Sequence, residues 1–274
     1  MFLSVVIPAF NEEKRLPETL KKVKAYLEKQ SYDWEVLIVN DGSRDRTAAV
    51  VSDLVGKWQG FRLIDNKENR GKGAVVKQGM LEAKGDWRLY MDADNSTDIS
   101  EIEKLWGFVK AEKGNEARYV DRQTENVNIG TTDVTTSRNE PRNPLTLYEI
   151  IAGSRYLKKD SIKIKQPLIR RIVSRLGNIL IRTLLGIHSV DTQCGFKMFS
   201  AKATKEIFPL QTMERWGAEM EIWAIAIKKG YKVKEVAVDW YDAKGSTVRK
   251  SAALQTLKEL LIIKWNLMRG KYSR

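Results

Sequence analysis

One cysteine and one histidine in 274 residues narrow the possibilities at the outset. The lone Cys194 excludes an intramolecular disulfide, and His188 leaves the chain without the usual general base; it reads as a structural or surface residue. No window holds 18 uncharged apolar residues, so no transmembrane helix is expected. Leu3–Ile7 is too short for a signal-peptide core and stops at Pro8, which points to the cytoplasm. The dinucleotide signature is missing as well. After the first apolar run come Pro8-Ala9-Phe10-Asn11-Glu12, with no Gly-x-Gly-x-x-Gly, and Gly71-Lys72-Gly73 lacks phosphate-loop spacing.

Basic charge, by contrast, is plentiful and uneven. The net charge is +13. Residues 155–182 hold nine Lys/Arg against Asp160, and 244–274 hold eight against Glu259. Those two segments account for the whole excess. Concentrated positive charge of this kind suits an anionic partner: membrane phosphates, a phosphorylated substrate or nucleic acid.

The first half repeats a strand-then-helix pattern. Apolar strands are expected at Phe2–Ile7, Trp34–Val39, Phe61–Ile64 and over the stretch that ends at Asp92. Helical spacing follows at Leu16, Leu20, Val23 and Leu27, then from Asp45 as a cap to Val55, then from Ala74 to Ala83. Such alternation predicts an α/β fold, a mostly parallel Rossmann-like sheet with helices on both faces. Ligands of open sheets bind outside the carboxyl ends of the strands. Asn11-Glu12, Asp41-Gly42-Ser43, Arg70-Gly71-Lys72 and Asp92-Ala93-Asp94 all fall there. In an extended segment Asp92 and Asp94 point the same way and can converge on a divalent cation completed by substrate phosphates. Asp41 suits base or ribose groups, and Lys72 suits phosphate.

The second half is organised by its basic helices. From about Gly114 to Pro144 the chain turns polar, which reads as a surface excursion, with a lid over the donor site as the alternative. Ile150–Tyr156 resumes as a strand, and Pro167 opens a helix with one apolar face and Arg170, Arg171, Ser174, Arg175, Asn178 and Arg182 on the other. A helix with Leu254, Leu257, Leu261 and Trp265 among Lys258, Lys264 and Arg269 closes the chain. The first reads equally as a membrane-surface element or as a core-packed helix with a solvated basic face, and the two basic segments together are expected to serve peripheral attachment.

The run Val5–Glu12, Val39-Asn40-Asp41-Gly42-Ser43, Asn69-Arg70-Gly71-Lys72-Gly73 and the Asp92/Asp94 pair together resemble the inverting GT-A glycosyltransferases of family 2. Asp191-Thr192-Gln193-Cys194-Gly195-Phe196-Lys197 and Glu214-Arg215-Trp216 followed by Glu219 and Glu221 resemble its polyprenyl-phosphate branch, which includes the dolichyl-phosphate β-glucosyltransferases. That branch usually has Phe-Asp where Ala218-Glu219 stands here. The resemblance implies a GT-A fold divided into 1–113 for the nucleotide-sugar, a polar insertion at 114–148, 149–243 for the acceptor, and a C-terminal basic helix at 244–274. It implies donor contacts from Pro8, Phe10, Asn11, Glu12, Asp41, Gly71, Lys72, Asp92, Ala93 and Asp94, with Mg2+ or Mn2+ on Asp92 and Asp94.

It further implies inverting transfer of a hexose, glucose from UDP-glucose before UDP-N-acetylglucosamine or GDP-mannose, to polyprenyl phosphate held by Arg155, Arg170 and Ser174. Catalytic roles fall on Asp92, Asp94, Glu219 and Glu221. A phosphate acceptor is largely deprotonated near neutral pH, which fits the absence of a histidine base. A sugar hydroxyl acceptor would instead need a carboxylate base, Glu219 or Glu221. Peripheral attachment to the cytoplasmic membrane face is expected. A basic nucleic-acid-binding protein is the rival reading, and the carboxylates clustered at the strand ends argue against it.

Overall fold

The computed structural model describes residues 1–109, 148–163, 168–241 and 252–273, with the side chains of 168–176 and 252–254 excepted. The polar insertion falls almost entirely outside the described residues, as does Lys244-Gly245-Ser246. Seven strands form one sheet in the order β3-β2-β1-β4-β6-β5-β7. β1 (Phe2–Ala9) lies centrally and is paired in parallel with β2 (Asp33–Asp41) and β4 (Trp87–Met91). β3 (Phe61–Asn66) extends β2, and β5 (Ile150–Ser154) pairs in parallel with β7 (Val233–Ala237). All but the first residue of β1 are buried, as a strand covered on both faces requires.

Helices cover both faces. On one, α1 (Leu16–Leu27) buries Leu16, Leu20, Val23 and Leu27, joined by α2 (Thr47–Val55) and α4 (Glu103–Trp106). On the other lie α3 (Lys72–Glu82), α5 (Leu168–Leu185), α6 (Ala201–Ile207), α7 (Gly217–Lys228) and α8 (Ala252–Met268). The spacing that predicts α1 and α2 is met, and Asp45 accepts the Thr47 amide at 3.0 Å at the start of α2.

The sequence pattern passes over β6 (Phe196–Ser200), which runs antiparallel to both β4 and β5. A lysine in the middle of Phe-Lys-Met-Phe breaks the apolar run that marks a buried strand, yet Lys197 is fully buried. α6, capped by the Ser200 hydroxyl accepting the Ala203 amide, is a second unpredicted element. β5 ends at Ser154, two residues before its expected end, and the last strand spans Val233–Ala237. Because β6 is antiparallel, it begins at the edge where β1, β2 and β4 end. Its register sets Lys197 opposite Tyr90, so the two side chains share a face.

Candidate active site

Four loops meet at that edge. Asp41, buried at the end of β2, accepts the backbone amides of Arg70 (2.8 Å) and Gly71 (2.9 Å) and the Asn69 side-chain amide (2.8 Å). The carboxylate expected to meet base or ribose is thus engaged in shaping the loop that opens α3. Burial raises its pKa, partly offset by those two amides. Gly71 has φ 110°, and a Cβ there would lie 2.6 Å from the Glu214 carbonyl oxygen. Only glycine tolerates both. The start of α3 therefore packs closely against the segment leading into α7, and the Ala74 amide donates to the Glu214 carbonyl at 3.0 Å.

This packing presents Lys72 to two carboxylates. Its Nζ lies 2.7 Å from Asp92 Oδ1 and 3.4 Å from Glu219 Oε1. Burial alone would lower the Lys72 pKa, but Asp92 and Glu219 outweigh it and hold the ammonium charged well above its usual range. Glu219 in turn accepts Lys197 Nζ and the Tyr90 hydroxyl, each at 2.5 Å. Burial would raise the Glu219 pKa, yet Lys197 and Lys72 bring it below the ordinary glutamate range. Sequence reasoning missed Tyr90 and Lys197. A lysine interrupting an apolar strand was the available signal for the second.

The acid pair is arranged otherwise than an extended chain predicts. β4 ends at Met91 and residues 93–94 turn, so the two-residue repeat of a strand no longer applies. Asp92 faces Lys72, whereas Asp94 accepts the Ser96 amide (3.0 Å) and hydroxyl (2.7 Å) and lies 3.8 Å from Arg15. Arg15 also pairs with Glu12, whose carboxylate takes Arg15 Nε at 2.7 Å. Burial raises the Glu12 pKa, Arg15 partly reverses this, and the nearby Asp94 and Asp92 charges add to it. Asn11 sits at φ 55° and accepts the Arg44 amide at 2.9 Å. Pro8 and Ala93 are buried, and the Ala93 carbonyl accepts the Thr19 hydroxyl at 2.7 Å; Phe10 is partly buried. Beyond Asp94 opens a cavity of about 680 Å³ lined by Arg15, Lys22, Asn95, Asp98 and Asp239.

Among the described residues no group of three or more His, Cys, Asp or Glu side chains is placed to hold a metal. Two partly exposed carboxylates beside Lys72 nevertheless fit a hard cation that would take its remaining oxygens from a bound diphosphate and water. Gly195 supports this acid corner. A Cβ on it would come within 2.1 Å of Asp92 Oδ2, and its carbonyl accepts the Asp92 amide at 3.1 Å.

Glu221 does not join Glu219. Side chains two apart on a helix point to nearly opposite sides, and Glu221 accepts the Thr212 and Met213 amides, each at 2.7 Å, and the Tyr272 hydroxyl at 2.6 Å. It is fully buried and fastens the C-terminal segment to α7, which corrects the expectation of a catalytic role. Arg155 is also committed. Its Nε and Nη2 grip Asp191 at 2.7 and 2.8 Å, and its backbone amide donates to the same carboxylate at 3.0 Å. Glu235 then holds the Asp191 amide (2.9 Å), the Val190 amide (2.7 Å) and the Ser189 hydroxyl (2.8 Å). Arg170 and Ser174 lie on α5, but their side chains fall outside the described residues. His188 lies on the loop that enters this network, and Cys194 is buried with its thiol pushed up to about 12 by burial first and Asp191 next.

A charged lysine and an acid pair thus lie together at the carboxyl ends of the parallel strands, an arrangement that suits a glycosyltransferase. The family model described as Glycosyl transferase family 2 matches residues 4–208, and the chain belongs to that family. It is 34% identical over 269 residues, 96% of this chain and 73% of the relative, to a dolichyl-phosphate beta-glucosyltransferase of Trichomonas vaginalis. It is 32% identical to the human protein of the same description, over 98% of this chain and 77% of that one. Among solved structures, mannosyl-3-phosphoglycerate synthase from Rubrobacter xylanophilus superposes with a TM-score of 0.63 at 14% identity, covering 100% of this chain and 76% of that one. Glucosyl-3-phosphoglycerate synthase from Mycobacterium tuberculosis, in complex with Mn2+, UDP and glucosyl-3-phosphoglycerate, gives 0.60 at 16%, covering 96% and 80%. At these identities the structures speak for the fold.

Proposed function

We propose that this glycosyltransferase moves glucose from UDP-glucose to a polyprenyl phosphate of the dolichyl type, with inversion at the anomeric carbon. The observation that carries the reading is Lys72, a charged lysine at the mouth of the edge, sharing Asp92 with the place where a metal would bind. Relatives over nearly the whole chain are dolichyl-phosphate beta-glucosyltransferases, which supports both substrates.

Asp92 and Asp94 would hold Mg2+ or Mn2+, which when bound neutralises charge on the diphosphate. Lys72 supplies the second positive charge to the same phosphates. Pro8, Phe10, Asn11, Glu12, Gly71 and Ala93 line the donor, and Asp41 fixes the loop beneath it. Arg170 and Ser174 receive the acceptor phosphate, and Arg155, committed to Asp191, shapes the loop beside them rather than taking the phosphate itself. A phosphate oxygen of the acceptor forms the new bond to the anomeric carbon as the bond to the diphosphate oxygen breaks, and UDP leaves. No base is needed, because the acceptor's second pKa is about 6. Glu219 suits this scheme. Held below its normal pKa between two lysines, it is a fixed anion and a poor proton acceptor.

Access to a lipid phosphate is supported by α8. Its outward face exposes Leu261 (55%), Trp265 (52%) and Met268 (62%) beside exposed Lys258 and Arg269. α5 packs on α8 and exposes Ile179 and Leu180. No helix among the described residues is long and apolar enough to cross a membrane. The exposed apolar and basic face of α8 supports a reading of peripheral attachment at the cytoplasmic membrane face, with each basic residue near anionic lipid contributing about 1 kcal/mol.

The test is transfer from labelled UDP-glucose, UDP-N-acetylglucosamine and GDP-mannose to polyprenyl phosphate, with Mn2+ and with chelator. A glucosyl lipid product lost with chelator and with Asp94→Asn is expected. A product from another donor alone corrects the sugar, and no lipid product from any donor overturns the reading.

A further inference from the structure

The donor chemistry above leaves Lys197 without a part. Its side chain is 1% exposed, and burying an ammonium costs several kcal/mol unless it is fully paired. Nζ donates to Glu219 Oε2 (2.5 Å) and the Cys194 carbonyl (2.6 Å), and sits 5.4 Å from the centroid of the Tyr90 ring. Lys197, Glu219, Lys72 and Asp92 therefore form a row of alternating charge that runs from the core to the surface, with contacts of 2.5, 3.4 and 2.7 Å. Lys72 is the member of that row whose partners differ in kind. Asp92 is half-exposed at a loop end, whereas Glu219 is buried and held from behind by Lys197 and Tyr90.

We propose that Lys197 is a positioning residue for the donor: it fixes the Glu219 carboxylate so that Glu219 keeps Lys72 aimed at the nucleoside diphosphate when Asp92 engages other ligands. The proposal rests on the assignment of Lys72 to the diphosphate. Lys197 touches no substrate. It acts through Glu219: without the Lys197 ammonium the buried carboxylate would keep only the Tyr90 hydroxyl and Lys72, the very group it has to hold in place.

UDP binding, measured by calorimetry with and without Mn2+ on the full chain, tests this separately from lipid transfer. Lys197→Met is expected to weaken UDP about tenfold, and to raise the KM for the nucleotide-sugar while leaving that for polyprenyl phosphate unchanged. In a Glu219→Gln background the same substitution should change UDP affinity less than twofold, since the route through Glu219 is already cut. If thermal unfolding shows that Lys197→Met does not fold, Lys197→Gln, which can still donate to the Cys194 carbonyl, carries the same expectations. An equal loss in both backgrounds, or unchanged UDP affinity in a folded Lys197 variant, overturns the inference alone. Failure of the unaltered chain to bind UDP overturns the donor reading and this inference with it.

Discussion

Two cations at the same sheet edge, Lys72 and Arg155, were both expected to meet phosphate, and their surroundings differ in one decisive way. Lys72 faces Asp92, whose side chain is 37% exposed. Arg155 faces Asp191, which is 1% exposed and anchored by Glu235. The first pair is held at a loop end with Asp92 open to solvent, and in the proposed reading it exchanges partners when a diphosphate arrives. The second is a bidentate pair with three hydrogen bonds on one carboxylate, inside a network of further bonds. A cation near a ligand site is thus available or committed according to how its counter-ion is held, not according to its own charge.

The contrast predicts different kinds of damage. The largest effect is expected at the acid pair. Asp92→Asn should reduce transfer about a thousandfold, the equivalent of about 4 kcal/mol of transition-state stabilisation, with little loss of thermal stability; steady-state kinetics and a melting curve check both. Asp191→Asn should do the reverse. Breaking a buried pair from one side costs about 3–5 kcal/mol, so denaturant unfolding should show the loss directly. Burial would raise the Asp191 pKa, but Arg155 lowers it below the ordinary aspartate value of 3.8. The stability it contributes is therefore fully present above that value and lost as pH falls through the folded pKa, and acid unfolding of Asp191→Asn should be flatter in that window.

A smaller effect separates the two glutamates of α7. Glu219→Gln should weaken UDP binding, whereas Glu221→Gln should chiefly lower the melting temperature, because Glu221 bonds only to Thr212, Met213 and Tyr272 among the described residues. Smallest of all is the response of Cys194. With its thiol pushed up to about 12, it should resist alkylation at neutral pH in the folded chain and react once the chain is unfolded.

Much of the donor half was legible because each polar cluster follows an apolar strand and precedes a helix, so parallel pairing brings the clusters to one edge. Glu219 and Glu221 could also have been told apart, since their positions on a predicted helix already place them on different sides. Other features depend on partners distant in sequence. Nothing near Arg155 announces Asp191, 36 residues away, and nothing near Asp41 announces that its carboxylate binds the 69–71 loop. β6 was hidden by Lys197 itself. A strand that buries a charge against a carboxylate from a helix cannot be recognised before that helix is in place.

The claim that the donor diphosphate lands where Lys72 and the acid pair meet is tested most directly by titrating UDP into the chain with Mn2+ and with chelator, for the unaltered protein and Asp94→Asn. Binding that tightens at least tenfold with Mn2+ in the unaltered chain, and loses that gain in Asp94→Asn, is the predicted result. UDP affinity that ignores both the metal and Asp94 would contradict it.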